Sequence, residues 1–321
     1  MIKTGIVGGA GYTAGEMVRI LLGHPQAEIT WIVSSSHAGQ PVYNVHTDLK
    51  GDTNLRFSEK PDFEAVDVIF LCMGHGKSVS FIDENQIPDK VKIIDLSQDF
   101  RHKAKARDFV YGLPELNRPT IVKANKIANP GCFATAIQLA ILPLAARQLL
   151  TEIHVHAITG STGAGQAPSG TTHFSWRNSN ISIYKAFEHQ HLIEIGESLV
   201  QLMPNFDQPI NFVPLRGDFA RGILASVYLN CSLSLDEANK LYDDYYAEAA
   251  YTSRSDTPID LKQVVNTNKC LLHLEKHNGK LHITSIIDNL TKGASGQAVQ
   301  NMNLIFGLNE KTGLYLKPSA F

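Results

Sequence analysis

The sequence predicts an α/β protein in two parts: a parallel sheet covered by helices, then an α+β region whose sheet is mixed and largely antiparallel. Three observations predict it. Apolar runs rich in Val and Ile alternate with helical patterns through the first 130 residues. A glycine-rich turn directly follows the first of those runs. In the second half, Asn278-Gly279 joins two strand-like segments with the chemistry of a tight hairpin.

Thr4–Val7, Ile29–Val33, Val66–Cys72 and Val91–Leu96 are the strand candidates of the first part. They lack polar alternation, which suits strands covered on both faces. Between the first two, Tyr12–Leu22 sets Met17, Val18, Leu21 and Leu22 on one helical face, and Gly23-His24-Pro25 supplies the stop. Strand, helix and strand in about thirty residues make a βαβ unit with a right-handed crossover. The apolar stretch Cys132–Leu150 contains Gln138, Pro143 and Arg147 and reads as a buried helix, not a membrane span. Ile153–Ile158, Ile210–Val213 and Ile223–Leu229 follow as strands. Cys270–Lys276 and Lys280–Ile287 flank the hairpin turn and must pair antiparallel. A last helix over Ser295–Phe306 carries Ala298, Val299, Met302, Leu304 and Ile305.

Composition narrows the function. At 321 residues two domains are expected. Lys and Arg number 29 against 31 Asp and Glu, a balance that gives no footprint for nucleic acid or an anionic membrane. Met1-Ile2-Lys3-Thr4 runs straight into a strand without an apolar signal region, so a cytoplasmic location is expected. Cys72, Cys132, Cys231 and Cys270 have neither zinc-site spacing nor the density of a disulfide scaffold. No metal site is expected, and each cysteine is either a core thiol or a reactive one.

The glycine-rich turn is Gly8-Gly9-Ala10-Gly11-Tyr12-Thr13-Ala14-Gly15-Glu16, set between strand and helix. Gly8 and Gly11 would let the backbone approach a pyrophosphate, and the N–H groups of Tyr12, Thr13 and Ala14 open the helix toward it. The spacing departs from G-x-G-x-x-G, and a cofactor-free turn is the alternative. Its place after a strong strand favours a Rossmann-type dinucleotide site, to which Gly74, after the third strand, also belongs. The second strand runs into Ser34-Ser35-Ser36-His37-Ala38-Gly39 with no carboxylate to bind a ribose hydroxyl or repel a 2′-phosphate. NADP(H) is therefore the expected cofactor, with His37 as a cationic helper; the bland alternative is an ordinary polar loop.

Asn129-Pro130-Gly131-Cys132-Phe133-Ala134-Thr135 places Cys132 in the first turn of the apolar helix. The helix dipole and N–H groups favour thiolate there and can bring a thiol from about 8.5 into the ~3.5–7.5 range. The same N–H groups can hold an oxyanion. Cys72, Cys231 and Cys270 lie in strand patterns and read as core. Among thirteen histidines, His154 and His156 share a strand face without a third ligand, and His273, Glu275 and His277 share a solvated one. His189-Gln190-His191-Leu192-Ile193-Glu194 opens a helical stretch, with Glu194 one turn beyond His191 and able to orient it. Thr159–Gly165 offers amides to a phosphate or is merely a flexible loop, and Arg216 and Arg221 are anion-clamp or surface residues.

Together these motifs resemble the N-acetyl-γ-glutamyl-phosphate reductase family, relatives of aspartate-semialdehyde dehydrogenase. The resemblance runs through Gly8–Glu16, Asp95–Arg101, Tyr111–Glu115, Asn129–Thr135, His189–Glu194, Arg221-Gly222 and Asp288–Asn301. It implies that Cys132 attacks an acyl phosphate, that the His189–His191 segment supplies acid–base catalysis, and that Asp288–Asn301, with Asn289, Gly293 and Gln297, returns to the cofactor. It also implies that the last helix packs on the first domain. The expected division is 1–130 with 293–321 for NADP, and 131–292 for catalysis and assembly into a homodimer or homotetramer. Asn129, Ser161, Gly163, Arg216 and Arg221 form the expected substrate set. Two departures stand out: Gln190, Leu192 and Ile193 replace the family's usual residues between the histidines and Glu194, and Phe212-Val213-Pro214-Leu215-Arg216 lacks the usual histidine after proline. Arg216 could welcome a second carboxylate, so an N-succinyl substrate stands beside N-acetyl. Reductases of aspartyl or carrier-linked aminoadipyl phosphate, and a non-enzymatic NADP-binding redox sensor, are the rival readings.

Overall fold

The computed structural model describes residues 1–319. The chain forms two compact units, Met1–Pro130 with Ala294–Tyr315, and Gly131–Gly293 with a stretch that begins at Leu316. Gly293 and that last stretch, expected in the first unit, belong to the second. Gly293 donates its N–H to the Asp288 carbonyl (2.9 Å), and Ser319 bonds to Val265 and to the Asn266 amide (3.3 and 2.8 Å). Positions 320 and 321 lie outside the described residues.

The first unit is built on β1 (Ile2–Val7), β2 (Ala27–Val33), β3 (Phe57–Ser58), β4 (Val68–Leu71), β5 (Lys92–Asp95), β6 (Val110–Tyr111) and β7 (Lys126–Ala128). Its strand order is β3-β2-β1-β4-β5-β7-β6 and every pairing is parallel. All four residues of β4 are buried, as a strand covered on both faces requires. The chain reverses its winding between β1 and β4, and the carboxyl ends there are where a sheet of this type binds ligands. Helices α1 (Tyr12–Leu22), α2 (Ser78–Glu84) and α3 (Pro114–Ile121) belong to this unit. The two-residue strands carry no readable pattern, so the sequence indicated neither β3 nor β6.

In the second unit, α4 (Cys132–Ala146) is the central helix, ending four residues before the expected Leu150. It is followed by β8 (Ile153–Thr159), α5 (Phe174–Arg177), β9 (Ser182–Ile183), α6 (His191–Leu202), β10 (Ile210–Arg216), β11 (Ile223–Asn230), α7 (Leu235–Tyr246), β12 (Thr252–Arg254), β13 (Cys270–His277) and β14 (Lys280–Ile287). The sheet order is β12-β13-β14-β11-β8-β10-β9. β8 pairs parallel with β10 and antiparallel with β11, so the sheet is mixed. Asn278 and Gly279 both have positive φ (46° and 79°), the geometry expected of the hairpin turn.

Every residue of α4 from Phe133 to Ala145 is buried, and Pro143 lies inside it. A proline there has no N–H for the Leu139 carbonyl four residues back. Tyr246 of α7 donates its hydroxyl to that carbonyl (2.6 Å), and Tyr242 donates to Ala140 (2.5 Å). The buried helix thus keeps its backbone satisfied. Chain return to the first unit passes through a π-helical turn, Thr291–Ser295, into α8 (Gly296–Ile305). Within that unit α8 packs on α1, α3 and β5. Asn301 donates to the Gly112 carbonyl (2.8 Å) and the Asn129 amide oxygen (3.2 Å). Among the described residues no helix is long and apolar enough to cross a membrane.

Candidate active site

The reactive corner of the second unit is assembled from two helix starts and a return segment. Gly131 is the N-cap of α4, in extended conformation (φ −71°, ψ 151°), and provides no side-chain cap. Cys132 is therefore the first helical residue, half-exposed, with the uncapped helix start behind it. A Cβ built on Gly293 would sit 2.8 Å from the Cys132 Cβ. Only glycine fits there without displacing the cysteine. Gly293 was expected at the cofactor; the geometry gives it contact with Cys132. Cys72 is buried just past β4, and burial pushes its thiol up to about 12, the behaviour of a core thiol. Cys231 follows β11 and Cys270 begins β13; none of the four cysteines is disulfide-bonded.

Glu194 binds the two helix starts together. Its carboxylate accepts the Gly131 N–H (3.1 Å), and its other oxygen lies 3.8 Å from His191 Nε2. His189 precedes α6 instead of opening it, and its Nδ1 accepts the His191 N–H (3.2 Å). Neutral His189 therefore carries its proton on Nε2. Both histidines and Glu194 are buried. Burial, with Lys185 adding to it, pulls His189 down to about 4. The His189 ring meets the rings of Phe133 (5.4 Å), Phe212 (5.3 Å) and His191 (4.5 Å) edge to face.

Tyr184 is the member that no sequence signal marked. Its ring lies 5.8 Å from that of His189, and the Arg216 guanidinium stands 4.7 Å above its face. Burial, then the nearby Cys132, pushes its hydroxyl up to about 12 despite the pull of Arg216. Arg216 Nε is buried with no hydrogen-bond partner among the described residues. The residue is held from behind, because Arg177 donates to its carbonyl (2.7 Å).

Other expected substrate residues are occupied elsewhere. Arg221 forms a fork with buried Asp288 (2.9 and 3.0 Å) and also donates to Thr291 (3.1 Å). The N–H groups of Ser161, Thr162 and Gly163 donate to the carbonyls of Phe219, Ala220 and Gly160 (2.8, 3.1 and 3.3 Å), so this loop does not turn its amides to a phosphate. Asn129 gives its amide to the Ala294 carbonyl (3.1 Å) and accepts from Asn301. Asn289, expected at the cofactor, accepts the Gly222 N–H (2.7 Å) and donates to Thr162 (3.0 Å). These residues hold their own units in shape.

In the first unit the glycine loop separates two kinds of glycine. Gly8 has φ +81° and its Cβ would press on the Cys72 backbone at 2.9 Å, while a Cβ on Gly15 would strike His46 at 2.5 Å. Packing demands both. A Cβ on Gly11 would meet nothing nearer than 4.0 Å, and one on Gly74 nothing within that distance. Their missing side chains leave open backbone at the ends of β1 and β4, a cradle that fits a pyrophosphate at the start of α1. His46, which sequence reading missed, donates Nε2 to the Gly9 carbonyl (2.7 Å) and secures the loop. Ser295 donates to the Thr13 carbonyl (2.8 Å), and Gln297 is buried in α8. At the end of β2, buried Ser34 and exposed Ser36 meet His37 Nδ1 at 3.3 and 2.9 Å, with Ser35 exposed beside them. Beyond β4, Asp99 accepts the N–H groups of Gly76 and Ser78 (2.7 and 3.0 Å), which fixes the loop after Gly74. No group of His, Cys, Asp or Glu among the described residues could hold a metal ion.

A parallel sheet with a glycine cradle, and a mixed-sheet unit with a helix-start cysteine beside paired histidines, define a class. The chain belongs to the semialdehyde dehydrogenase family: its NAD binding domain model matches residues 3–124 and its dimerisation domain model residues 132–289. Curated relatives narrow this to one branch. N-acetyl-gamma-glutamyl-phosphate reductases of Parabacteroides distasonis and Bacteroides thetaiotaomicron are each 58% identical over 322 residues, covering all of both chains. That of Azobacteroides pseudotrichonymphae is 59% identical over the same span. Solved structures share the fold. Aspartate semialdehyde dehydrogenase II of Vibrio cholerae, complexed with ASA, has a TM-score of 0.75 at 18% identity, over 96% of this chain and 98% of its own. The Candida albicans aspartate semialdehyde dehydrogenase with NADP has a TM-score of 0.71 at 13% identity, over 95% and 98%.

Proposed function

We propose that this chain reduces N-acetyl-L-glutamyl 5-phosphate to N-acetyl-L-glutamate 5-semialdehyde with NADPH, releasing phosphate, in arginine biosynthesis. The observation that carries the reading is the corner where Cys132 opens α4, Gly293 lies against it, and Glu194 ties the turn to His191. The first unit binds the dinucleotide, and the second carries catalysis and the contacts of a homodimer or homotetramer in the cytoplasm.

Cys132 thiolate attacks the acyl carbonyl, forming the C–S bond, and the first N–H groups of α4 hold the oxyanion. Collapse breaks the C–O bond to phosphate and leaves a thioester on Cys132. What the nicotinamide supplies when bound is a hydride to the thioester carbonyl. His191, charge-balanced by Glu194, gives its proton to the oxygen so formed and takes it back as the C–S bond breaks. His189, neutral, offers Nε2–H to the substrate. The Gly11 and Gly74 cradle and the Ser34–Ser36 turn hold the dinucleotide, whose 2′-phosphate meets no carboxylate there.

The test is phosphate-dependent reduction of NADP⁺ by N-acetylglutamate 5-semialdehyde, with the acyl enzyme trapped and its site found by mass spectrometry. Absence of turnover, or an adduct on another cysteine, rejects the reading. Arg216, stacked on Tyr184 with a buried unpartnered Nε, favours a second reading in which the N-acyl group is succinyl. The kcat/KM ratio for the N-acetyl and N-succinyl semialdehydes decides between them.

A further inference from the structure

We propose that Arg56, reaching over from the residue before β3, is a specificity-determining residue for the 2′-phosphate of the dinucleotide. This rests on the NADP reading above.

The turn that leaves β2, Ser34 to Gln40, contains no Arg or Lys. Its hydroxyls and His37 can offer hydrogen bonds to a phosphate, but a dianion at an exposed rim also needs a fixed positive charge. A guanidinium fork supplies that best. The neighbouring strand brings one. β3 pairs with the end of β2 through Ile32↔Phe57 and Val33↔Ser58. Two further backbone bonds stitch the turn to β3, from Ser34 N–H to the Ser58 carbonyl (3.2 Å) and from Gly39 N–H to the Phe57 carbonyl (2.8 Å). Arg56 forms an isolated bridge with Pro41 and donates Nη1 to the Gly39 carbonyl (2.7 Å).

That bond commits one of five donors and anchors the guanidinium to the turn that carries Ser36 and His37. The His37 ring rests over Phe57, the next residue along, with centroids 5.8 Å apart. Two serine hydroxyls, an imidazole and a guanidinium therefore belong to one rim at the carboxyl end of β2. No acidic side chain lies in the turn between residues 34 and 40. The arrangement supplies in three dimensions the cation that the turn itself lacks.

Isothermal titration with NADP⁺ and NAD⁺, and with their fragments 2′,5′-ADP and 5′-AMP, tests this on the full chain. Arg56→Ala should weaken NADP⁺ and 2′,5′-ADP by about 10–100-fold, the worth of a charged hydrogen-bonded contact, and leave NAD⁺ and 5′-AMP within about twofold. Arg56→Gln keeps an N–H for the Gly39 carbonyl but removes the charge, and should show the same selective loss without a shift in thermal midpoint. Equal weakening of both cofactors would mean that Arg56 only tethers the turn, and unchanged NADP⁺ affinity would mean that it does not reach the phosphate. Either overturns the proposal while leaving the NADP reading intact. If the unaltered chain binds 5′-AMP as tightly as 2′,5′-ADP, the NADP reading itself fails and Arg56 falls with it.

Discussion

The starts of α1 and α4 use one physical device for two purposes. Each helix follows the end of a strand of the parallel sheet, begins after an extended glycine, lacks a side-chain cap and has no acidic residue in its first turn. Each therefore begins with N–H groups that lack intrahelical acceptors. At α1 the surroundings are left bare: Gly11 and Gly74 have no neighbour that would exclude a side chain, so the space beside them is open. At α4 the space is filled. Gly293 fits against Cys132, Glu194 takes the Gly131 N–H, and aromatic rings enclose His189. An open helix start suits an anion that arrives; a furnished one suits a residue that becomes an anion in place.

The largest effect should come from emptying the furnished site. Cys132→Ala should lower turnover by at least about 10⁴-fold, since nothing else in the corner can form the thioester. Dinucleotide affinity should change little, because the cradle lies in the other unit. In the intact chain, alkylation followed by mass spectrometry should find Cys132 modified before Cys72, Cys231 and Cys270. A different first site would break the contrast between the two helix starts.

Next come the histidines. His191→Asn should depress kcat by roughly 10²–10⁴-fold and flatten one limb of the pH–rate profile. His189→Asn should act chiefly on KM, as expected of a group that bonds ground and transition states alike. The reverse pattern would exchange their roles. Glu194→Gln keeps a side chain near both partners but removes the charge that faces His191, and should cost about 10-fold in kcat; an unaltered pH profile would show that Glu194 serves only the Gly131 N–H. At the open helix start, kcat/KM should favour NADPH over NADH by about 10-fold or more, because no carboxylate follows β2. Equal values would remove the 2′-phosphate from the account.

How far this was legible in the sequence depended on range. Strand periodicity, the glycine loop, the Asn278-Gly279 turn and the Gly131-Cys132 helix start are written in adjacent residues, and all four are where the sequence places them. Roles that depend on distant partners were not. The side chain that donates to Asn129 is 172 positions away in α8. The buried partner of Arg221, Asp288, lies 67 positions on. His46 and Tyr184 sit in segments with no pattern of their own, and only the folded chain brings them to Gly9 and Arg216. Local chemistry shows where a reactive group starts; tertiary packing decides which neighbours remain available to it.

The smallest expected effect concerns stability, and it separates the furnished site from the open one. Burial holds His189 at about 4 in the folded chain, against 6.5 for the ordinary side chain, so the native state keeps it neutral. The unfolded chain binds a proton at His189 as pH falls through 6.5, while the folded chain does not until pH approaches 4. The unfolded state thus holds more protons across that window, and stability must fall with falling pH there. Above the upper end the contribution is fully present; below the lower end it has been lost. His189→Gln keeps a hydrogen-bonding side chain without a titrating ring, so the urea midpoint should decline less steeply across this window than in the unaltered chain. If His189→Gln reproduces the slope of the unaltered chain, the histidine is not held neutral by its enclosure, and the aromatic wall around it has a different purpose.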